Sequence, residues 1–343
     1  MKRISWLAAG GLASCGATRL AAADRSRRFE AVTVPVLAFT PHAAAVALLG
    51  SLVLRRRGPA ATAALTGAAL AAVVLPRAAG RPQPRAGGPV LRVITANTLK
   101  GRASAEAVVG LVRRHGADVL FLQELTEPAV SRLKQAGLAD LLPHEMTDLG
   151  GASTRGRGIY ARFPLVEGLG PFHPSVSLPE YLGSPGEDEK GSSSLGRADA
   201  GQLTARLELP GGQRADLVCV HASPPRPPWK PANAARWRSE LAALPGPAGA
   251  AGPPRVLAGD FNASVDHAPF RRVLRRGHAD AAARLGHGLI PTWGPEPRGR
   301  PGLLTIDHVL VDPGCAVQAV SVHPLPGSDH RAVYAEFRLP SAG

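Results

Sequence analysis

The sequence predicts an α/β fold, a sandwich of two packed β-sheets with outer helices, preceded by N-terminal transmembrane helices. Two observations predict it. Between residues 90 and 340, apolar runs of strand length alternate with segments of helical periodicity, and the alternation never settles into a strict strand–helix–strand repeat. Before residue 77, long uncharged runs are separated by short clusters of arginine, the pattern of membrane spans and their loops. We therefore expect one large α/β domain behind a membrane anchor.

The first 76 residues are predicted to form this anchor from three transmembrane helices, at about residues 4–23, 32–54 and 59–76. Residues 32–54 carry no charge and are long enough to cross a bilayer. Two alternatives stay open. Leu12-Ala13-Ser14-Cys15 resembles a lipoprotein cleavage box, which would make Cys15 the lipidated residue. The runs could also be buried helices of a soluble protein, but they lack an amphipathic face.

Arginine positions predict how the anchor is oriented. Arg55-Arg56-Arg57 lies between the second and third runs and reads as a cytoplasmic loop, which puts everything after Arg77 outside the cell. The first loop, with Arg25, Arg27 and Arg28, is also basic and favours the opposite orientation. We expect a multi-pass protein of the cell membrane with its large domain outside the cytoplasm.

The net charge of +14 belongs mainly to the N-terminal segment. Residues 1–89 contain 12 of the 40 Lys and Arg and 2 of the 26 Asp and Glu, which leaves 28 and 24 for the rest of the chain. A domain this close to neutrality argues against a non-specific nuclease, because such enzymes contact many phosphates along a strand. The bilayer is therefore a better predicted partner than nucleic acid. The three cysteines show neither metal-binding nor disulfide spacing.

The α/β region is predicted to follow a linker rich in Pro, Gly and Arg at residues 77–89. Periodicity and turn residues predict the elements in order: strands at 90–98, 118–124, 158–162, 203–209, 215–221, 255–259, 306–312 and 332–339, and helices at 103–115, from Pro128, at 233–244 and at 268–276. Residues 168–201 fit no element. They are either a loop that shapes a substrate mouth, which we favour, or a surface insertion.

Six apolar runs in this region are followed by polar side chains that suit phosphate chemistry. They end at Asn97, Glu124, His221, Asp260 with Asn262, Asp307, and Asp329 with His330. All look like strand exits, and strand exits in an α/β protein converge on one crevice. Glu124 ends the run Val119–Leu122, and a carboxylate there needs a partner because burying it alone is costly. Asp260 and Asn262 are two apart in an extended segment and therefore face the same side.

This ordered set resembles the endonuclease/exonuclease/phosphatase superfamily, which includes pancreatic deoxyribonuclease and sphingomyelinase. The resemblance covers residues 90–340 and implies a catalytic domain with the family's four-layer α/β sandwich. It also implies a bound Mg²⁺ or Mn²⁺, with Glu124 as its main ligand and Asn97 and Asp329 completing the shell. A divalent ion neutralises charge on the phosphoryl oxygens and is held by few protein ligands.

The resemblance also implies roles for the other residues of the set. Asp260 would polarise the attacking water, and the Asn262 amide would bind a phosphoryl oxygen. Asp307 would orient His330, which acts either as a base or as a cationic stabiliser. His221 would be the acid for the leaving group. Asn97 and Asn262 would contact substrate, and so would Trp293, although packing is the favoured role for this Trp.

Two departures weaken a DNA-repair interpretation. Leu99 stands where relatives that cleave abasic DNA carry an acid, and the tyrosine of many nuclease pockets has no match. The anchor followed by this domain resembles the glycopeptide-resistance membrane proteins of the VanJ type, which implies a lipid-linked pyrophosphate of cell-wall synthesis as substrate. The expected function is a membrane-anchored, metal-dependent phosphoesterase. The alternatives are an anchored extracellular nuclease and a non-catalytic protein that binds phospholipid headgroups.

Overall fold

The computed structural model describes residues 2–25, 30–149, 156–167, 202–225, 231–249, 252–295 and 301–341. The predicted mouth loop at residues 168–201 lies outside them. The strands, in chain order, are β1 Val90–Asn97, β2 Val119–Leu125, β3 His144–Asp148, β4 Gly156–Ala161, β5 Leu165–Glu167, β6 Gln202–Glu208, β7 Arg214–His221, β8 Arg255–Asp260, β9 Ala279–Asp280, β10 Asp307–Val311, β11 Ala316–Pro324 and β12 Arg331–Arg338.

The helices are α1 Lys2–Leu20, α2 Glu30–Ala38, α3 Thr40–Val53, α4 Arg57–Val74, α5 Ala105–His115, α6 Glu127–Gln135, α7 Leu138–Leu141, α8 Pro231–Ala243, α9 Ala268–Arg275 and α10 Ala281–Arg284. Capping explains the boundaries of α5. The Ser104 hydroxyl accepts a hydrogen bond from the Ala107 amide at its start, and Gly116 adopts a left-handed conformation after its end. Pro128 lies in the first turn of α6.

The strands form two six-stranded mixed sheets. The first has the order β11-β12-β1-β2-β4-β3, and the second has the order β5-β6-β7-β8-β10-β9. Strand β1 is parallel to β2 and antiparallel to β12, while β8 is parallel to β7 and antiparallel to β10. Each sheet therefore contains one parallel pair near its centre, flanked by antiparallel strands.

Three hydrophobic clusters define four layers. The cluster between the sheets contains side chains from both, including Val93, Phe121, Leu217 and Val256. A second cluster joins the other face of the first sheet to α5 and α6, and a third joins the second sheet to α8 and α9. The predicted sandwich of two packed sheets with outer helices is thus confirmed.

The prediction that all the polar residues stand at strand exits was wrong for three of them. Asp307 is the first residue of β10, and Asp329 and His330 lie just before β12. These strand starts nevertheless lie at the same edge as Asn97 and Asp260, because β10 runs antiparallel to β8 and β12 runs antiparallel to β1. A polar residue beside an apolar run marks one end of a strand without saying which end it is.

The N-terminal region is helical, but only part of it has the length and composition of a membrane span. Within the described residues, one helix qualifies, at Arg57–Arg77. The pair Val32–Ala38 and Thr40–Val53 qualifies only if it counts as one span, and it is bent by 69°. The bend follows from Pro41 in the first turn of α3, because its ring and missing N–H do not allow the preceding helix to continue through it. The predicted span at residues 4–23 corresponds to α1, which does not qualify.

Helices α1 and α4 lie side by side and parallel. The Trp6 ring lies against Gly58 near their N-termini, and Thr66 lies against Gly16 further along. Both C-terminal ends reach the α/β domain, where Arg19 and Arg77 contact Asp266. The predicted linker at 77–89 follows the surface of that domain, with Gly80 forming a β-bridge to Leu285.

Candidate active site

The polar residues predicted from the sequence meet at one edge, in the seam between the two sheets. Asn97 joins the sheets directly. Its side-chain amide donates hydrogen bonds to Glu124 Oε1 at 3.2 Å, in the first sheet, and to Asp260 Oδ2 at 3.1 Å, in the second. Its own oxygen accepts from the Leu99 amide at 2.9 Å. Asn97 is fully buried, so each of its polar atoms needs these partners.

Asp307 and His330 form a buried carboxylate–imidazole pair. His330 Nδ1 lies 3.0 Å from both oxygens of Asp307, and Nε2 lies 3.7 Å from Asp260 Oδ2. Burial alone would lower the pKa of His330, but the charges of Asp307 and Asp260 outweigh it and raise this pKa to about 10. The two carboxylates therefore favour the protonated form of His330, and Asp307 orients its ring.

Asp260 and Asn262 form a tight turn at the end of β8. Asp260 Oδ1 accepts from the Asn262 amide at 2.8 Å, and Asn262 Nδ2 donates to Asp260 Oδ2 at 3.2 Å and to the Ala222 carbonyl at 2.8 Å. Asn262 has φ 47°, a left-handed conformation that Asn tolerates better than most residues. Burial raises the pKa of Asp260, and the nearby His330 cation opposes that rise.

Glu124 is held with its carboxylate toward the seam by an unusual backbone conformation. Its φ is 52°, and the pairing between β2 and β4 shifts its register beside it, between Gln123 and Leu125. Left-handed backbone is costly for a residue other than Gly, and such strain is common at functional sites. Glu124 Oε2 accepts from the Lys100 amide at 2.9 Å, and Oε1 lies 3.8 Å from His221 Nε2.

Asp329 and Trp293 complete the set. The Trp293 indole donates to Asp329 Oδ2 at 3.0 Å, and Trp293 pairs with Leu304 and His330 in isolated β-bridges. The role of Trp293 visible here is to hold Asp329 in place. Asp329 Oδ1 lies 4.0 Å from His330 Nε2, is buried, and has no hydrogen-bond partner within the described part of the chain.

The sequence matches the Endonuclease/Exonuclease/phosphatase family over residues 94–330, which includes every residue of this cluster. The chain belongs to this family. It is accordingly a hydrolase of phosphoester bonds.

Solved structures share the fold at low sequence identity. An endonuclease/exonuclease/phosphatase from Beutenbergia cavernae is 21% identical with a TM-score of 0.50, covering 74% of this chain and 72% of that one. A 3′ phosphatase, NExo, from Neisseria, solved with a product DNA hairpin, is 21% identical with a TM-score of 0.46, covering 72% and 99%. Sphingomyelinase C from Streptomyces griseocarneus is 17% identical with a TM-score of 0.45, covering 72% and 99%. No curated protein sequence matches the chain.

Divalent cations are typical of the family, and the carboxylates of this site fit one. Glu124 and Asp329 are the carboxylates that would bind the ion. Asp329 Oδ1 is buried without a hydrogen-bond partner among the described residues, and coordination to a cation would satisfy it. Asn97 fits less well as a ligand than expected, because its oxygen is engaged by Leu99 and its amide nitrogen faces Glu124. Asp260, Asp307 and His330 also bring ligand atoms within 4.8 Å of one another and could hold a metal ion.

Two hydroxyl groups that support the site were not singled out from the sequence. Ser328 donates to the Asn97 carbonyl at 2.8 Å and accepts from the His330 amide at 3.1 Å. Thr292 accepts from the amides of Ile306 and Asp307, both at 3.0 Å. The only available signal was their position beside Asp329 and Trp293, because Ser and Thr are common in ordinary turns.

Proposed function

We propose that this protein is a membrane-anchored phosphoesterase that uses Mg²⁺ or Mn²⁺ outside the cytoplasm to hydrolyse phosphate ester or pyrophosphate bonds of a lipid-linked substrate. The observation that carries the proposal is the seam in which Asn97 bridges Glu124 and Asp260 next to the Asp307–His330 pair. This arrangement offers two carboxylates for a cation, one for a water molecule and a fixed positive charge for a phosphoryl group.

Each side chain has a proposed task that follows from its contacts. Asp260 orients and polarises the attacking water, and Asn97 and Asn262 hold Asp260 in place. Both amide hydrogens of each Asn are donated to protein acceptors, so these amides act on the phosphate through Asp260. The His330 cation, oriented by Asp307, stabilises charge that develops on the phosphoryl oxygens. His221, beside Glu124, donates a proton to the leaving group. Glu124 and Asp329 would hold the divalent ion, which supplies charge neutralisation when bound.

The N-terminal helices support membrane anchoring. Only 28% of the apolar window at Arg57–Arg77 is buried within the chain, and large apolar side chains on α3 and α4, such as Leu52 and Leu65, are 82% and 73% exposed. Such a surface suits lipid better than water. Because α1 and α4 are parallel, their N-termini lie at one end of the helix group and the α/β domain lies at the other. With α2 and α3 as the return pass, this fits three spans, a cytoplasmic Arg55–Arg57 turn and an external catalytic domain.

A lipid-linked substrate follows from anchoring. Confinement to the bilayer surface raises the effective concentration of a substrate held in the same membrane, without any extra contact. A catalytic region near charge neutrality also fits a small headgroup better than a long polyanion. As in VanJ-type proteins, a lipid-linked pyrophosphate of cell-wall synthesis would meet both conditions.

Turnover by the purified full-length protein tests this proposal. We would compare polyprenyl pyrophosphate, phospholipid and DNA as substrates in detergent with Mg²⁺, with Glu124→Ala as the matched inactive variant. We expect the wild type to release phosphate from polyprenyl pyrophosphate and the Glu124→Ala variant to release none. Faster cleavage of DNA would instead indicate an anchored nuclease, and headgroup binding with no turnover of any substrate would indicate a binding protein.

A further inference from the structure

Three consecutive residues of the catalytic domain, Asp266, His267 and Ala268, contact the N-terminal segment. Arg77 donates to Asp266 through two nitrogens, at 2.7 and 2.5 Å, and Arg19 Nε donates to the same carboxylate at 2.7 Å. His267 Nε2 lies 2.9 Å from the carbonyl oxygen of Val34. The Ala268 amide donates to Asp24 at 2.5 Å.

These contacts are buried and mutually dependent. The side chain of Asp266 is fully inaccessible and that of Arg77 is 9% exposed. Burial would raise the pKa of Asp266, but Arg77 and Arg19 hold it below its usual range. A buried carboxylate that loses its cation is strongly destabilising, so neither partner is dispensable alone. The Val34 side chain adds an apolar contact, since it belongs to the same buried cluster as Trp237 and Phe261.

The contacted segment is continuous with the turn that carries the chemistry. Asp266 lies four residues after Asn262, and hydrogen bonds hold the chain on either side of Asn262, at Phe261, Ala263 and Ser264. The Phe261 carbonyl accepts from the Trp237 indole at 3.1 Å, and the Ala263 carbonyl lies 2.9 Å from His308 Nε2. The Ser264 amide donates to His267 Nδ1 at 2.9 Å, and the Ser264 hydroxyl accepts from the Asp266 amide at 3.3 Å.

We propose that Asp266 is a positioning residue that fastens the ends of α1 and α4 to the Asp260–Asn262 turn, so that the N-terminal helices hold the catalytic turn in its working geometry. The anchor is then a structural part of the active site and not only a tether. This inference rests on the proposed function for its effect on turnover, but the docking itself is independent of it.

The first test measures docking without any activity assay. A protease site inserted after Arg85 is cut in the full-length protein in detergent, and co-purification of the two fragments is measured. We expect the wild-type fragments to remain together, and Asp266→Asn or Arg77→Met to release them at least partly. Arg85→Met, on an exposed arginine of the same segment, is the matched control. Wild-type fragments that separate at once would overturn the docking.

The second test asks whether docking positions the turn. In the uncut protein, Asp266→Asn should increase hydrogen exchange across residues 260–268, including the Asn262 and Ser264 amides. With a small soluble phosphodiester and Mg²⁺, kcat should fall about 10- to 100-fold while KM stays nearly constant, the pattern of misplaced groups. Unchanged hydrogen exchange at residues 260–264 would overturn the positioning role, whether or not the wild type turns over substrate. Absence of turnover by the wild type would count against the proposed function alone.

A variant without any of the buried charges separates positioning from simple loss of stability. Asp266→Asn combined with Arg19→Met and Arg77→Met removes the carboxylate together with both of its cations, so that no buried charge is left without a partner. Its thermal stability should recover toward that of the wild type relative to Asp266→Asn alone, while kcat should remain low because the fastening is still absent. Recovery of both stability and kcat would show that Asp266 acts only through stability.

Discussion

At the scale of single residues, the site depends on side chains whose positions are set by strained or buried neighbours. Glu124 is the clearest case, because its left-handed backbone turns the carboxylate away from the ordinary alternation of β2 and toward the seam. Strain of this kind at a single residue points to a functional role for its carboxylate.

Two substitutions at Glu124 separate the function of the carboxylate from the strain in the backbone. Glu124→Ala and Glu124→Gly both remove the carboxylate, and each should lower kcat by about 10²-fold or more, with no response to added Mg²⁺. Gly adopts φ 52° without strain, so the Gly variant should be about 1 kcal/mol more stable than the Ala variant. Thermal unfolding and a Mg²⁺ titration of activity measure both effects. Equal stability of the two variants would show that position 124 carries no strain.

The Asp307–His330 pair makes a second prediction at this scale. His330→Ala should lower kcat by about 10²–10⁴-fold with little change in KM, because in the proposed mechanism the imidazolium acts mainly on the transition state. Asp307→Asn should cost less by misorienting the ring. The double variant should be no worse than His330→Ala alone, since the two act as one unit. Additive losses in steady-state kinetics would show that they work independently.

At the scale of elements, the approach of β7 to β8 decides how close His221 comes to the Asp260 turn. Gly259 makes this approach possible. A Cβ at that position would lie 1.9 Å from the Val220 carbonyl oxygen, and φ is 151°. No side chain can be accommodated unless the two strands move apart.

Gly259→Ala should therefore destabilise the protein by about 1–3 kcal/mol or more and lower activity by displacing Asp260. The matched control is Gly110→Ala in α5, where nothing lies within 4 Å of the added methyl group. That change should be neutral or stabilise by about 0.5–1 kcal/mol, because Gly is unfavourable inside a helix. Thermal unfolding distinguishes the two. Comparable stability of both variants would contradict the close packing at Gly259.

A buried ion pair between His308 on β10 and Asp280 on β9 makes the stability of the fold depend on pH. His308 Nδ1 lies 2.7 Å from Asp280, and its Nε2 meets the Ala263 carbonyl. Burial alone would lower the pKa of His308, but Asp280 raises it above its usual value. A His whose pKa is higher in the folded than in the unfolded state stabilises the fold when it is protonated. This contribution is complete below the pKa of the unfolded state, about 6.5, and is lost as the pH rises from there through the pKa of the folded state.

Asp280→Asn should cost about 3–5 kcal/mol near pH 5.5, where the buried pair is fully charged, and distinctly less near pH 9. Asn retains the cap that Asp280 provides to Ala283 at the start of α10, so the charge is the main change. The control is Asp140→Asn, an exposed acid, which should change stability little at either pH. Melting curves at the two pH values test this. A cost at pH 9 as large as that at pH 5.5 would exclude the ion pair as its source.

At the scale of the whole molecule, the parallel arrangement of α1 and α4 makes the proposed topology testable. In a chain with Cys15→Ser, the single variant Arg56→Cys should react with an impermeant maleimide only from the cytoplasmic side. The single variant Arg85→Cys should react only from outside. The remaining cysteines, Cys219 and Cys315, are buried and give little background. Labelling of both positions from the same side would rule out the proposed three-span arrangement.

Much of the fold and most of the site could be predicted from the sequence, because strand-length apolar runs with polar ends are a local signal. The convergence of Asn97, Glu124, Asp260 and His330 was predicted in this way. Strand direction at Asp307 and His330 was not, because it depends on which strands become neighbours. Strand β3 was missed because His144–Asp148 lacks an apolar alternation. The 69° bend before α3 was missed because hydropathy does not register helix direction.

The order of the strands sets how late in synthesis the first sheet can be completed. Strand β12 pairs with β1, the first strand of the domain, and His330 directly precedes β12. A nascent chain therefore cannot pair β1 on both sides, and it lacks the imidazole, until synthesis has passed residue 330. With the proposed role of His330, such a chain has an incomplete sheet and cannot cleave phosphoesters. Ribosome-stalled chains that end before residue 330 should accordingly be open to proteases and inert.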